Sequence, residues 1–198
     1  MTMNMRSSLI IAIILFLGHL SANAQKNIQL PLKGGKIVYA DTVFINNTPK
    51  SIVYERAKNW ILKSFPIQNK DFAELNKTDS LINANGTLEF SQMDLHNLNQ
   101  VIIEYRIVVE VYENAYVYKF CGFKGRLYEK AQYTSVAAAK ISLEEDYAQY
   151  LKKPKLNDHT RRVKQFYKLI TQQINSFNTD METKEPVSID YERGPHLE

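Results

Sequence analysis

One cysteine, Cys121, stands in 198 residues, so no disulfide can close within the chain. The fold must be held by a packed core rather than by covalent staples. Glycine and proline are sparse, 7 and 6 residues, which excludes collagen-like and Pro/Gly-rich low-complexity architectures. No Cys-x-x-Cys pair, phosphate-cradling glycine loop or serine-centred elbow occurs. Repeats at solenoid periods are also absent. Neither sign of charge dominates: 25 Lys and Arg face 21 Asp and Glu, for a formal +4. The positive residues are spread rather than blocked, so no nucleic-acid partner is expected. What is present is 44% hydrophobic residues, enough for one domain with a proper core.

The first two dozen residues are different in kind. Arg6 precedes an apolar run over residues 9–17, and Ala22-Asn23-Ala24 follows. A positive start, a short apolar stretch and a small-x-small site describe a secretory signal peptide over residues 1–24. The apolar run is about half of the ~20 residues that span a bilayer. A retained N-terminal anchor is the alternative, disfavoured by the well-formed Ala-x-Ala site. No cysteine stands at the end of the run or at the cleavage site, so no lipoprotein anchor is indicated. The expectation is an exported protein, periplasmic or secreted. Its mature chain begins near Gln25 and has no integral membrane span.

Residues 25–36, with Pro31 and Gly34-Gly35, read as a leader. Residues 37–45 are β-branched and aromatic and read as a strand. Thr48 is placed to cap a helix with Pro49 at its first position, and Ser51 is a rival cap. Val53, Ala57, Trp60, Ile61 and Phe65 then recur at helical spacing until Pro66. Residues 71–76 read as a short strand. Strand character resumes at residues 81–90, where Gly86 suggests a bulge or bend; a hairpin at Asn85-Gly86 is the alternative.

Residues 101–112 give the clearest alternation. Val101, Ile103, Tyr105, Ile107, Val109 and Val111 share one face; Ile102, Glu104, Arg106, Val108, Glu110 and Tyr112 share the other. A two-residue turn at Glu113-Asn114 leads into a strand over residues 115–123. It sets Val111 against Tyr116, Val109 against Tyr118, Ile107 against Phe120 and Cys121 against Arg106. Ser142-Leu143-Glu144-Glu145 is a capping box for a helix ending before Pro154. Asn157 or Asp158 caps a second helix, with its stripe at Val163, Phe166, Tyr167, Ile170, Ile174 and Phe177. Periodicity fades from Thr179, where disorder is expected.

The stretch Tyr54-Glu55-Arg56-Ala57-Lys58-Asn59-Trp60, closing with Phe65, resembles the helix motif of an uncharacterised domain family. That family is the domain of unknown function with a TATA-binding-protein-like (TBP-like) fold, found mostly in exported proteins of Bacteroidetes-type bacteria. The Asn85-Gly86 strand and the central hairpin resemble the same family over residues 37–123. Glu113-Asn114 departs from the Asp-Gly-like pair more usual at that turn. The resemblance implies a fold and a compartment and no activity, and TBP-like names a shape rather than DNA binding.

The expected fold class is α+β. A two-layer antiparallel sheet over residues 37–140 carries one helix packed on a face, followed by a C-terminal helical extension over 141–178 and a tail over 179–198. Placing the first face of residues 101–112 under the helix leaves the mixed face outside it. Glu104, Arg106, Glu110 and Tyr112 are therefore the candidate interaction surface. Either the extension, which the reading favours, or a partner would cover it.

Catalytic candidates are thin. Cys121 could act as a nucleophile with His96 or His159, but no family signature surrounds it. Asp94 and His96 are too few for a metal site. Glu104 and Glu110 lie roughly 20 Å apart along an extended strand, too far for a glycosidase pair. No catalytic residue, metal or cofactor is assigned. The functional expectation is a non-enzymatic binding module for an unknown protein or envelope ligand. The alternatives are a hydrolase-like enzyme using Cys121 or an unrecognised carboxylate, and a structural accessory of an envelope assembly.

Overall fold

The computed structural model describes residues 28–66, 68, 80–94, 97–129, 139–153 and 157–182. The expected signal peptide, the strand at 71–76, His96 and the tail past Glu182 lie outside the described residues.

Gly34 and Gly35 both take positive φ, 58° and 72°, as the two central residues of a type I′ turn require. They join β1 (Leu32–Lys33) to β2 (Lys36–Ile37) in a miniature hairpin that begins in the segment read as a leader and ends at Ile37, the first residue of the expected strand. Strand β3 is Tyr39–Phe44, and helix α1 is Lys50–Ser64. Neither proposed cap serves α1. Pro49 precedes its first residue, and the Thr48 hydroxyl donates to the Asn46 carbonyl at 3.1 Å. The Lys50 amide instead donates to the Glu113 carboxylate at 3.0 Å, an acceptor 63 residues away in sequence. An acid at a helix N-terminus satisfies an orphan N–H and complements the helix dipole.

Three long strands follow: β4 (Leu81–Asp94), β5 (Asn97–Tyr112) and β6 (Ala115–Glu129). The antiparallel sheet has the order β3-β6-β5-β4, and β7 (Ala139–Ile141) joins the far end of β6. The hairpin register matches the sequence reading: Val111 opposes Tyr116, Val109 opposes Tyr118, Ile107 opposes Phe120 and Arg106 opposes Cys121.

The register then shifts, so that Glu104 opposes Lys124. Gly122 sits at the shift with φ +69°, the glycine position of a β-bulge. The extra residue reverses side-chain parity. Phe120 and Phe123, three apart, both point inward, and Phe123 packs edge-on to Phe166 with ring centroids 5.0 Å apart. The bulge thus lies on β6, not at Gly86, and β4 runs through Gly86 without a bend or reversal. Gly86 is needed for another reason: a Cβ there would overlap the ring of Tyr105, its cross-strand partner.

Helix α2 is Leu143–Lys152 and α3 is Asp158–Glu182. Ser142 caps α2, accepting from the Glu145 amide at 3.3 Å, and Asn157 caps α3, accepting from the Thr160 amide at 2.8 Å. The apolar stripe of α3 continues past Phe177 to Met181, which is fully buried. The Arg56 guanidinium donates to the Met181 carbonyl at 2.8 Å. The helix therefore extends beyond Thr179, where disorder was expected to begin, because the i, i+4 spacing of Phe177 and Met181 carries one more turn into the core.

Four strands at about 4.8 Å spacing make a face roughly 15 Å wide between outer strands, while one helix covers about 10 Å. One helix is too narrow for this sheet, and α3 packs beside α1 on the same face. Trp60 meets Phe177 at 5.0 Å and Phe120 at 6.3 Å between ring centroids, and its indole donates to the Ser176 hydroxyl at 3.1 Å. The extension is thus half of the core's lid and does not lie on the opposite face, where it was expected.

Candidate functional site

The same strands that feed the core build the opposite, outer face. Of the candidate residues, Arg106, Glu110 and Tyr112 are exposed and Glu104 is half-buried; their neighbours in sequence, Tyr105, Val109 and Val111, are buried. Period two decides this, since each inward residue sends the next one out.

At the hairpin end, Phe44, Ala115 and Tyr112 form one row across β3, β6 and β5. Phe44 is 81% exposed and Tyr112 49%. The Tyr112 hydroxyl donates to the Glu110 carboxylate at 2.7 Å, and this bond, followed by the carboxylate's charge, raises the phenol's pKa above its ordinary value. Val117 and Leu81 lie in the next row, on either side of Glu110. An exposed aromatic pair beside a carboxylate is suited to contact with a partner that has both apolar and polar groups.

Toward the bulge the character changes. Asn85, Arg106 and Cys121 form one row; Thr87, Glu104 and Lys124 form the next. Gly122 lies between them with nothing within 4 Å of the place a Cβ would occupy. These residues line a depression of about 650 Å³, and Gln68 reaches it from the chain after α1, donating to the Thr87 hydroxyl at 2.7 Å. Glu104 pairs with Arg126 at 3.5 Å.

The proposed catalytic partners do not converge. His159 sits at the start of α3, its Nδ1 2.5 Å from Asp146, and Arg162 holds the same carboxylate through Nε at 2.6 Å and an NH₂ at 2.7 Å. Hydrogen bonding to Asp146 raises the Arg162 pKa further above its ordinary value. This cluster clamps α2 to α3. Cys121 lines the outer depression, whose described lining has no histidine. Among the described residues no group of three or more His, Cys, Asp or Glu could hold a metal ion, and no helix is long and apolar enough to cross a membrane.

Sequence reasoning missed Phe44, Lys124 and the depression. The signal for the depression was Gly122 inside a strand, which marks a bulge. Phe44 could have been placed by parity, because Tyr39 and Val43 face the core.

Residues 39–125 match the family model described as "Domain of unknown function (DUF4468) with TBP-like fold". This segment is a DUF4468 domain. A TBP-like protein from Parabacteroides distasonis ATCC 8503 is similar in structure, with TM-score 0.59 at 18% identity, over 79% of this chain and 99% of that one. A DUF4468 family protein from Bacteroides ovatus ATCC 8483 gives TM-score 0.48 at 15% identity, over 80% of this chain and 92% of that one. No curated protein matches. The DUF4468 segment contains β3, α1, β4 and β5 entire and most of β6, including the Gly122 bulge and the outer-face residues. Helices α2 and α3 lie outside it, yet α3 supplies half of the lid on its inner face.

Proposed function

We propose that this protein is an exported, non-enzymatic binding module that engages a protein or other envelope ligand through the outer face of its sheet. The observation that carries the reading is the position of the helices. Both α1 and α3 pack on the inner face, and no described element covers Phe44, Tyr112, Glu110 and Arg106. Exposed large aromatics bordered by charge are what recognition surfaces are made of. Carboxylates interspersed with the cations, Glu89, Glu104 and Glu110 beside Arg106 and Lys119, speak against a nucleic-acid ligand.

The test uses photo-crosslinking residues placed singly in the full-length protein in its native cells, at Tyr112 on the outer face and at Lys168 on the exposed side of α3. Adducts from position 112 and none from 168 support the reading; adducts from 168 alone overturn it. Export is tested by the mass of the native protein. A mature N-terminus at Gln25 supports it, and intact Met1 in a soluble cytoplasmic fraction overturns it.

A further inference from the structure

We infer that the depression over the Gly122 bulge is a binding site for a small ligand bearing an oxyanion, a carboxylate or phosphate group. The inference rests on the outer face being the binding face and adds the ligand's chemical class.

Charge is the first ground. Arg106 and Lys124 both line the depression, and among the described residues neither has an ion-pair partner. The one carboxylate in the lining, Glu104, is turned to Arg126. The depression thus holds two cations whose charge its own carboxylate does not meet. A guanidinium presents paired donors that match the two oxygens of a carboxylate or phosphate, and an ammonium adds a second charge without a fixed geometry.

Shape and hydrogen bonding are the second ground. About 650 Å³ is within the range of small-molecule sites. A side chain at position 122 would stand in open space, so the glycine leaves the floor bare where the ladder is broken. The ladder between β5 and β6 breaks its register at this bulge, between Glu104 and Arg106. The Thr87 oxygen already accepts from Gln68, which leaves its proton to be donated. The Thr87 hydroxyl, the Arg106 guanidinium and the Lys124 ammonium are thus side-chain donors in the lining that suit an anionic ligand.

The test is ¹H–¹⁵N NMR of the mature chain, titrated with inorganic phosphate and separately with glucuronate, against sodium chloride at matched ionic strength. The expected result is saturable shifts of the Gly86, Cys121, Gly122 and Lys124 amides with at least one of the two anions. Which anion acts identifies the oxyanion. Arg106→Gln with Lys124→Gln should weaken binding by about tenfold or more, the loss expected when a charge-assisted hydrogen bond is removed. Lys168→Gln, which removes an exposed charge on α3, should leave it unchanged. The paired variants' melting temperatures show that each is folded. Shifts no larger than those in chloride, or equal binding by the double variant, overturn the inference. If adducts form at position 112 while the anions bind nowhere, the anion site falls and the outer-face reading stands. If the anions bind and no adduct forms at 112, the site stands without a larger partner.

Discussion

The inner and outer faces of the sheet are written by the same strands in alternate residues, yet they follow opposite rules. On the inner face, Tyr105, Tyr116, Tyr118 and Phe120 meet Trp60, Phe65 and Phe177 in a continuous set of edge-on and tilted ring contacts. On the outer face two exposed aromatics, Phe44 and Tyr112, stand apart from these contacts, among charges. The abundance of aromatic residues, 12 Tyr and 9 Phe, therefore has two meanings separated by parity. A tyrosine facing in is packing, and one facing out is available surface.

The strongest way to break this contrast is at Trp60. Trp60→Ala removes a ring that is 2% exposed and should destabilise the protein by about 3–5 kcal/mol in denaturant unfolding. A loss below 1 kcal/mol would mean that the two helices do not share a packed core. Gly86→Ala comes next. The added methyl meets a Tyr105 ring already held by Phe65, Phe120 and Phe123, and the cost should be about 1–3 kcal/mol. The same substitution at an exposed strand position would be nearly neutral, so a neutral Gly86→Ala would show that the inner face yields.

Alkaline titration sharpens the comparison without mutation. Burial raises the phenol pKa values of Tyr39, Tyr105 and Tyr116 above their ordinary value. Their neutral forms are favoured in the fold, so their contribution to stability is intact below the unfolded value of about 10 and is lost as pH rises through the higher folded values. Ultraviolet absorbance should show these phenols ionising only together with loss of far-ultraviolet circular dichroism. Ionisation near pH 10 in a folded protein would mean that water reaches the inner face. The smallest effect is expected at Phe44→Ser, where melting should change by less than about 0.5 kcal/mol because the ring is exposed. A large loss there would show that the outer face is part of the fold's own packing.

Much of the sheet was legible because alternation is local. The faces of residues 101–112 and the hairpin register followed from period two and a two-residue turn. The helix caps at Ser142 and Asn157 were legible too, since a cap is read within four residues. What escaped was set by distance. No local pattern shows that Glu113 caps α1, or that α3 lies beside α1 rather than behind the sheet. The width of the sheet decides that placement, and width appears only once the strands are ordered. The depression was hidden for a related reason, since its residues come from three strands and a bulge, and the bulge changes parity part-way along β6.

The Glu113-Asn114 turn has a consequence for the order in which the chain assembles. Asn114 exchanges bonds with Thr48 in both directions, its side-chain oxygen accepting from the Thr48 amide at 2.8 Å and its own amide donating to the Thr48 carbonyl at 3.1 Å, while Glu113 holds Lys50. A hairpin of adjacent strands closes on the scale of about 1–10 μs, whereas contacts between distant segments must first overcome loop-closure entropy. The start of α1 is therefore anchored by a structure that is synthesised after it. As the chain emerges from the ribosome, α1 waits some sixty residues for its acceptor, and the hairpin is the template on which the first helix is fixed.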